Sequence, residues 1–406
     1  MTTNALEGVR VLDLTQHIAG LWCTKLLADY GADVIKIERP GSGDPTRSIG
    51  PFYHDDPHLE KSGLFLHLNT NKRSVTLNLK CPTGQDIARR LAQNVDIVVE
   101  SFSPGVMADL GLGYPTLEKL NPRVVVTSIS NFGQTGPYRD LKASEIVSSA
   151  MGGPMNVTGH AEREPLKLGG SIVAYQAGSV AAYSTMVALY QAEEDDGEGQ
   201  HVDVSIYETQ AGTRDRRTIN LTAYAYVGKT GRRALPEGRL AAGTRPCADG
   251  YVNIMGLGGR SRFADMCRMI GHPELADDPR FNSPMARLNP EAAEAFDEYY
   301  IPWLMEHTKK EAVTIAQEHN LLAGPINTIE DLLDDPHFKE RGSWEEIEHP
   351  YTGKVTYPGG HIRISDSPRL PARHAPLLGE HTVEVLVNEL GHSRQELVFL
   401  RAAGVI

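Results

Sequence analysis

Apolar and polar positions in the first third of the chain alternate between two periods. Val9–Leu14 alternates or runs apolar, interrupted by Arg10 and Asp13, as expected of a buried strand. A helical period follows over Ile18–Tyr30 and stops at Gly31; Ala32–Glu38 is a second strand. Strand, helix and strand in this order predict a βαβ unit and a parallel sheet. The alternation repeats with strand Ser74–Leu79, helix Gly84–Ala92, strand Asp96–Glu100 and strand Val124–Ser130. The fold class is therefore α/β, with a doubly wound, mostly parallel sheet in a large domain. The pattern changes after about Ala223. Gly228–Gly243 is rich in Gly and Arg and reads as a loop, and Tyr251–Met255 as a strand. Helical periods cover Arg262–Ile270, Pro290–His307 and Lys309–His319. The predicted division is a large domain over 1–222, a smaller α/β domain over 223–324 and a C-terminal part over 325–406. That last part is expected to end in a helix over Thr382–Leu390. A length of 406 residues agrees with two domains.

Ser171–Ala192 contains no charged residue, but Tyr, Gln, Ser and Thr dilute it. A buried helix in a tight interface is the better reading than a membrane span. The net charge of −12 disfavours nucleic acid and anionic membrane as partners. It also means that an anionic ligand must be held by local cations. The four cysteines have no metal-ligand spacing, so a reducing cytoplasm without disulfides is expected. No basic stretch followed by an apolar run marks a signal peptide at the start.

Candidate chemistry comes from position. Arg39 follows a parallel strand directly, at the end that faces the ligand crevice in open α/β sheets. A guanidinium there can clamp a phosphate, or it can be a surface arginine paired to Glu38 or Asp44. Asn71, Lys72 and Arg73 form a basic turn before a strand and could serve a diphosphate, or be a solvated face. His17, Ile18 and Ala19 open the first helix, where amides favour anions. Phe102 follows strand Asp96–Glu100. Glu145 opens another helix, where an acid also suits the dipole. Gly256–Arg260 could be a mobile glycine loop or a plain turn. His17, His54, His58, His67, His160 and His201 have no regular spacing, so no metal site is expected.

The motifs Leu6–Thr15, Ala28–Arg47, Asn69–Val75, Phe102–Val106, Ser130–Tyr138, Gly197–Val204 and Ala375–Thr382 occur in the order and spacing of family III CoA-transferases, the formyl-CoA and carnitine CoA-transferase group. The chain resembles that family nearly end to end. The resemblance implies an interlocked dimer, a tail returning to the large domain, and CoA and acyl-CoA as substrates. It places His17, Ile18, Ala19, Arg39, Asn71, Lys72, Arg73 and Phe102 at the CoA site and Glu145 near the thioester. It also implies an aspartate nucleophile that becomes a mixed anhydride. That position is Ala174 in Gly169–Gly178. Ser101 and Ser103 depart from the family's asparagine and basic residue.

Three functions follow. The chain resembles the aspartate-free subunit of the two-subunit members that move CoA from succinyl-CoA to benzylsuccinate. That likeness implies an aspartate-bearing homologous partner. Alternatively, Glu145 makes the chain a self-sufficient CoA-transferase. In the third reading the chain binds acyl-CoA without turnover.

Overall fold

The computed structural model describes residues 4–212, 224–228, 240–256, 260–283, 285–286, 289–360, 362–367 and 371–406. They fall into two compact units. The first comprises Met1–Thr158, Leu166–Gly231 and Glu340–Ile406; the second comprises Gly159–Pro165 and Arg232–Lys339.

The first unit is built on six parallel strands: β1 (Arg10–Leu14), β2 (Asp33–Glu38), β3 (Arg73–Thr76), β4 (Ile97–Glu100), β5 (Val125–Ser130) and β6 (His201–Ser205). Their order is β3-β2-β1-β4-β5-β6, with Leu12 opposite both Ile35 and Val98. Successive side chains leave a strand on opposite faces. Leu12, Ile35, Val98 and Val126 enter one core, with Ile87, Leu91 and Leu117. Val11, Val34, Ile97 and Val125 enter the other, with Cys23, Leu27, Ala181 and Leu189. Both faces are covered, which explains why apolar residues predominate along the strands rather than alternating with polar ones. The covering helices are α1 (His17–Asp29), α2 (Gly63–Leu68), α3 (Pro82–Ala92), α4 (Val106–Asp109), α5 (Tyr114–Leu120), α6 (Glu145–Met151), α7 (Ile172–Glu193) and α8 (Ile206–Gly212).

Helix α7 is long and apolar enough to cross a membrane by composition. Here it lies on α1. A Cβ at Gly178 would stand 2.4 Å from the Ala19 carbonyl oxygen, so the helix backbones meet directly.

A buried ionic network fixes the strand ends. Arg47 is fully buried and donates to both oxygens of Glu38, to Glu60 at 2.6 Å and to the Pro376 carbonyl. Lys36, also fully buried, donates to Asp44 at 3.0 Å. Each charge here is paired and hydrogen-bonded, as burial demands. Gly43 sits at φ 68°, and a Cβ there would come within 2.6 Å of the Arg47 side chain. The Gly41–Arg47 motif thus serves this network.

The second unit contains an antiparallel sheet of β7 (Ala242–Cys247), β8 (Gly250–Met255) and β9 (Leu322–Pro325). Helices Arg260–Met269, Pro290–Met305 and Lys309–Glu318 accompany it. Strands β10 (Trp344–His349) and β11 (Gly353–Pro358) form a hairpin in the first unit.

The expected strands and helices are present with ends shifted by a few residues. The C-terminus differs more. Thr382–Glu384 passes into a π-helical turn, Val385–Glu389, and the last helix is Arg394–Ala402. Ser393 and Glu396 form a capping box there. The expected Gly228–Gly243 loop lies mostly outside the described residues.

Candidate active site

The chain reverses direction across the sheet between β1 and β4, and a crevice opens at the carboxyl ends of the strands there. Its volume is about 450 Å³. Leu14, Ile37, Leu77, Leu79, Phe102 and Val106 give it apolar walls. Arg39 and Lys80 also line it, both exposed. The Arg39 guanidinium donates to Gln16 Oε1 at 3.3 Å. Apolar walls beside two cations suit an elongated ligand with an apolar body and an anionic end.

Ser101 ties the end of β4 to the start of α1. Its hydroxyl accepts from Gln16 N at 2.8 Å and donates to Gln16 O at 3.0 Å. Glu100 is buried beside it and accepts from Phe102 N at 2.7 Å. Burial pushes its carboxyl up to about 7, against the lowering effect of its hydrogen bonds to Ser128 and Phe102 N.

The opening of α7 is the second feature. Ala174 is half-buried and packs against the apolar cluster that includes Ala19, Cys23 and Ala177. The N-cap residue Ser171 makes no side-chain cap. Glu145 fills that role from α6. Its Oε1 accepts from Val173 N at 2.8 Å and its Oε2 from Ala174 N at 3.1 Å. Two free helix amides and the dipole are satisfied by one carboxylate.

The sequence pattern of CoA-transferase family III matches residues 6–382. The chain belongs to that family. It is 35% identical to the succinyl-CoA–D-citramalate CoA-transferase of Chloroflexus aurantiacus, covering 99% of this chain and 98% of the relative. It is 36% identical to the formyl-CoA:oxalate CoA-transferase of Streptomyces avermitilis, over the whole of both chains. Among solved structures, a CAIB/BAIF family protein from Brucella suis matches with a TM-score of 0.84 and 30% identity, over 95% of this chain and 99% of that one. An aspartate-to-alanine mutant of Rv3272 from Mycobacterium tuberculosis matches with a TM-score of 0.77 and 28% identity, over 95% and 99%.

The residues expected at the site of this CoA-transferase family member separate into two groups. Arg39 and Phe102 line the crevice. Asn71, Lys72 and Arg73 do not, and their side chains are used elsewhere. Lys72 is 2% exposed and donates to Asp13, Thr24, Asn69 and the Leu21 carbonyl. Burial lowers its pKa to about 8, although Asp13 opposes the shift. Arg73 is held by Asp33, Glu384 and Glu389. Asn71, at φ 69°, donates to Asp29 and accepts from Arg373 N. The basic turn therefore holds the C-terminal segment and the core. A run of polar residues gave no sign that its side chains turn inward.

His17 opens α1, exposed, at φ 61°, with Ile18 half-buried and Ala19 buried behind it. Their neighbour Gln16, rather than they, lines the crevice. Lys80 was absent from the expected set. It lies past the end of β3 and directly follows the strand expected over Ser74–Leu79, so the same strand-end argument could have found it. Residues 257–259 of the glycine loop lie outside the described residues. His67 is half-buried and stacks on Trp22, with ring centroids 6.0 Å apart. Burial, with nearby Lys25, lowers its pKa to about 4. Among the described residues no group of His, Cys, Asp and Glu could hold a metal, and all four cysteines are free.

Proposed function

We propose that this chain is the subunit of a two-chain CoA-transferase that does not carry the nucleophile. The observation behind the reading is the opening of α7. A methyl group stands at Ala174, where the family resemblance puts the attacking carboxylate. A neighbouring carboxylate, Glu145, is spent on the Val173 and Ala174 amides.

In this reading an aspartate of a homologous partner attacks the acyl carbonyl. A C–O bond forms as the C–S bond breaks, and CoA leaves as the thiolate. The present chain contributes its half of an interlocked assembly and a crevice able to hold CoA. Relatives named for succinyl-CoA support that donor. Benzylsuccinate is the first acceptor to try, because it is the acid of the two-subunit members that the chain resembles. For Glu145 to act as nucleophile in the alternative reading, it would have to give up two hydrogen bonds to a helix terminus.

The test is to assay the purified chain alone with succinyl-CoA and a panel of carboxylic acids that includes benzylsuccinate. The expected result is no transfer. Turnover on the order of 1 per second would overturn the reading and promote Glu145.

A further inference from the structure

We propose that Arg139, which rests on Gly105 in the turn bordering the crevice, binds a phosphate of the ligand held there. The inference rests on the reading of the crevice as a CoA site.

An acidic protein must concentrate cations locally to hold an anion. The crevice has Arg39 and Lys80 on one wall. On the other wall, the Phe102–Val106 turn carries no basic residue. Phe102 and Val106 both line the crevice; Gly105 lies between them in sequence without lining it. Gly105 has φ 94°, and a Cβ built there would stand 3.4 Å from Arg139 Nη2. The guanidinium therefore rests on the one residue of the turn without a side chain.

Arg139 is also poorly committed elsewhere. Its Nε is buried without a hydrogen-bond partner. Its ion pair among the described residues is a 3.8 Å contact with Asp140, whose side chain is 85% exposed. A distant, solvated carboxylate holds a guanidinium weakly. About two-fifths of the Arg139 side chain faces solvent. Its base is firm. Arg139 N donates to Gly136 O, and Tyr138 packs edge-on against Phe132 with centroids 5.8 Å apart. A forked donor on a fixed turn, with no strong partner, suits a phosphate.

Calorimetry on the full chain with CoA and with 3′-dephospho-CoA tests the assignment. Arg139→Ala should weaken CoA binding about tenfold or more, and Arg139→Lys should recover part of the loss. The binding should also depend less on salt in Arg139→Ala. Lys119→Ala removes the same charge from exposed helix α5 and should change nothing. A loss with both ligands places Arg139 on the diphosphate; a loss with CoA only places it on the 3′-phosphate. If Arg139→Ala melts as the unaltered protein does and binds CoA equally well, the proposal is overturned and the crevice reading stands. If the unaltered chain binds neither ligand, both fall.

Discussion

On the proposed reading one side chain, Ala174, separates this chain from a self-sufficient transferase, and that side chain packs against an apolar cluster. Restoring the carboxylate by Ala174→Asp would place a charge in an apolar cluster, next to the Glu145 carboxylate on the same helix terminus. Like charges at one site raise the pKa of one member, and an unpaired polar group in such a place costs about 1–3 kcal/mol. We expect Ala174→Asp to lower the melting temperature and to yield no efficient anhydride. Incubation with succinyl-CoA, hydroxylamine trapping and mass analysis of residue 174 would check this; efficient labelling would contradict it. Glu100 makes a separate pH prediction. Its carboxyl titrates near 7 in the folded protein against 4.5 for the free side chain. Between those values the native state holds a proton that the unfolded state has released. Stability must therefore fall as pH rises through this window, with a slope approaching about 1.4 kcal/mol per pH unit. Glu100→Gln should flatten the difference between urea midpoints at pH 5 and pH 7.5. An unchanged difference would show that Glu100 is not the group responsible.

Among the elements, the α1–α7 crossing sets the position of the site. Gly178 allows it, so Gly178→Ala should destabilise the protein by about 1–3 kcal/mol through overpacking against the Ala19 carbonyl. Gly169 has no atom within 4 Å of a built Cβ and no positive φ. Gly169→Ala should therefore be neutral or slightly stabilising, by up to about 1 kcal/mol. Equal melting temperatures for the two variants would refute the direct-contact argument. The sheet was legible because β1, β2, β4 and β5 are buried on both faces and leave apolar runs. Arg39 was legible because a strand end predicts its place. The inward turn of Lys72 and the cap supplied by Glu145 were not, since both depend on partners distant in sequence: Asp13 lies 59 residues away and Ala174 lies 29 away. The helix Arg394–Ala402 was missed although Ser393 and Glu396 spell its capping box.

Across the molecule, one chain leaves too much apolar surface on its central helix. Tyr183, Val187 and Tyr190 of α7 are 57%, 67% and 71% exposed, at spacings of four and three residues. They form a stripe along a single helical face, while Ala181, Thr185, Ala188 and Ala192 on the other side are buried in the core. Exposed stripes of this kind mark interaction surfaces. The proposed partner, a homologue with aspartate at the position of Ala174, would cover the stripe with its own equivalent helix. The same contact would bring its carboxylate into an assembly whose other half lacks one. Val187→Glu should then prevent assembly, because it would bury an unpaired charge. Co-expression of the two chains followed by native mass spectrometry is the measurement. The expected product is a mixed oligomer that transfers CoA, and loss of both the oligomer and the activity in Val187→Glu. Separate homodimers, with all activity in the partner's own, would show that this chain does not complete a two-subunit enzyme. An unchanged mixed oligomer in Val187→Glu would show instead that the α7 stripe is not the contact surface.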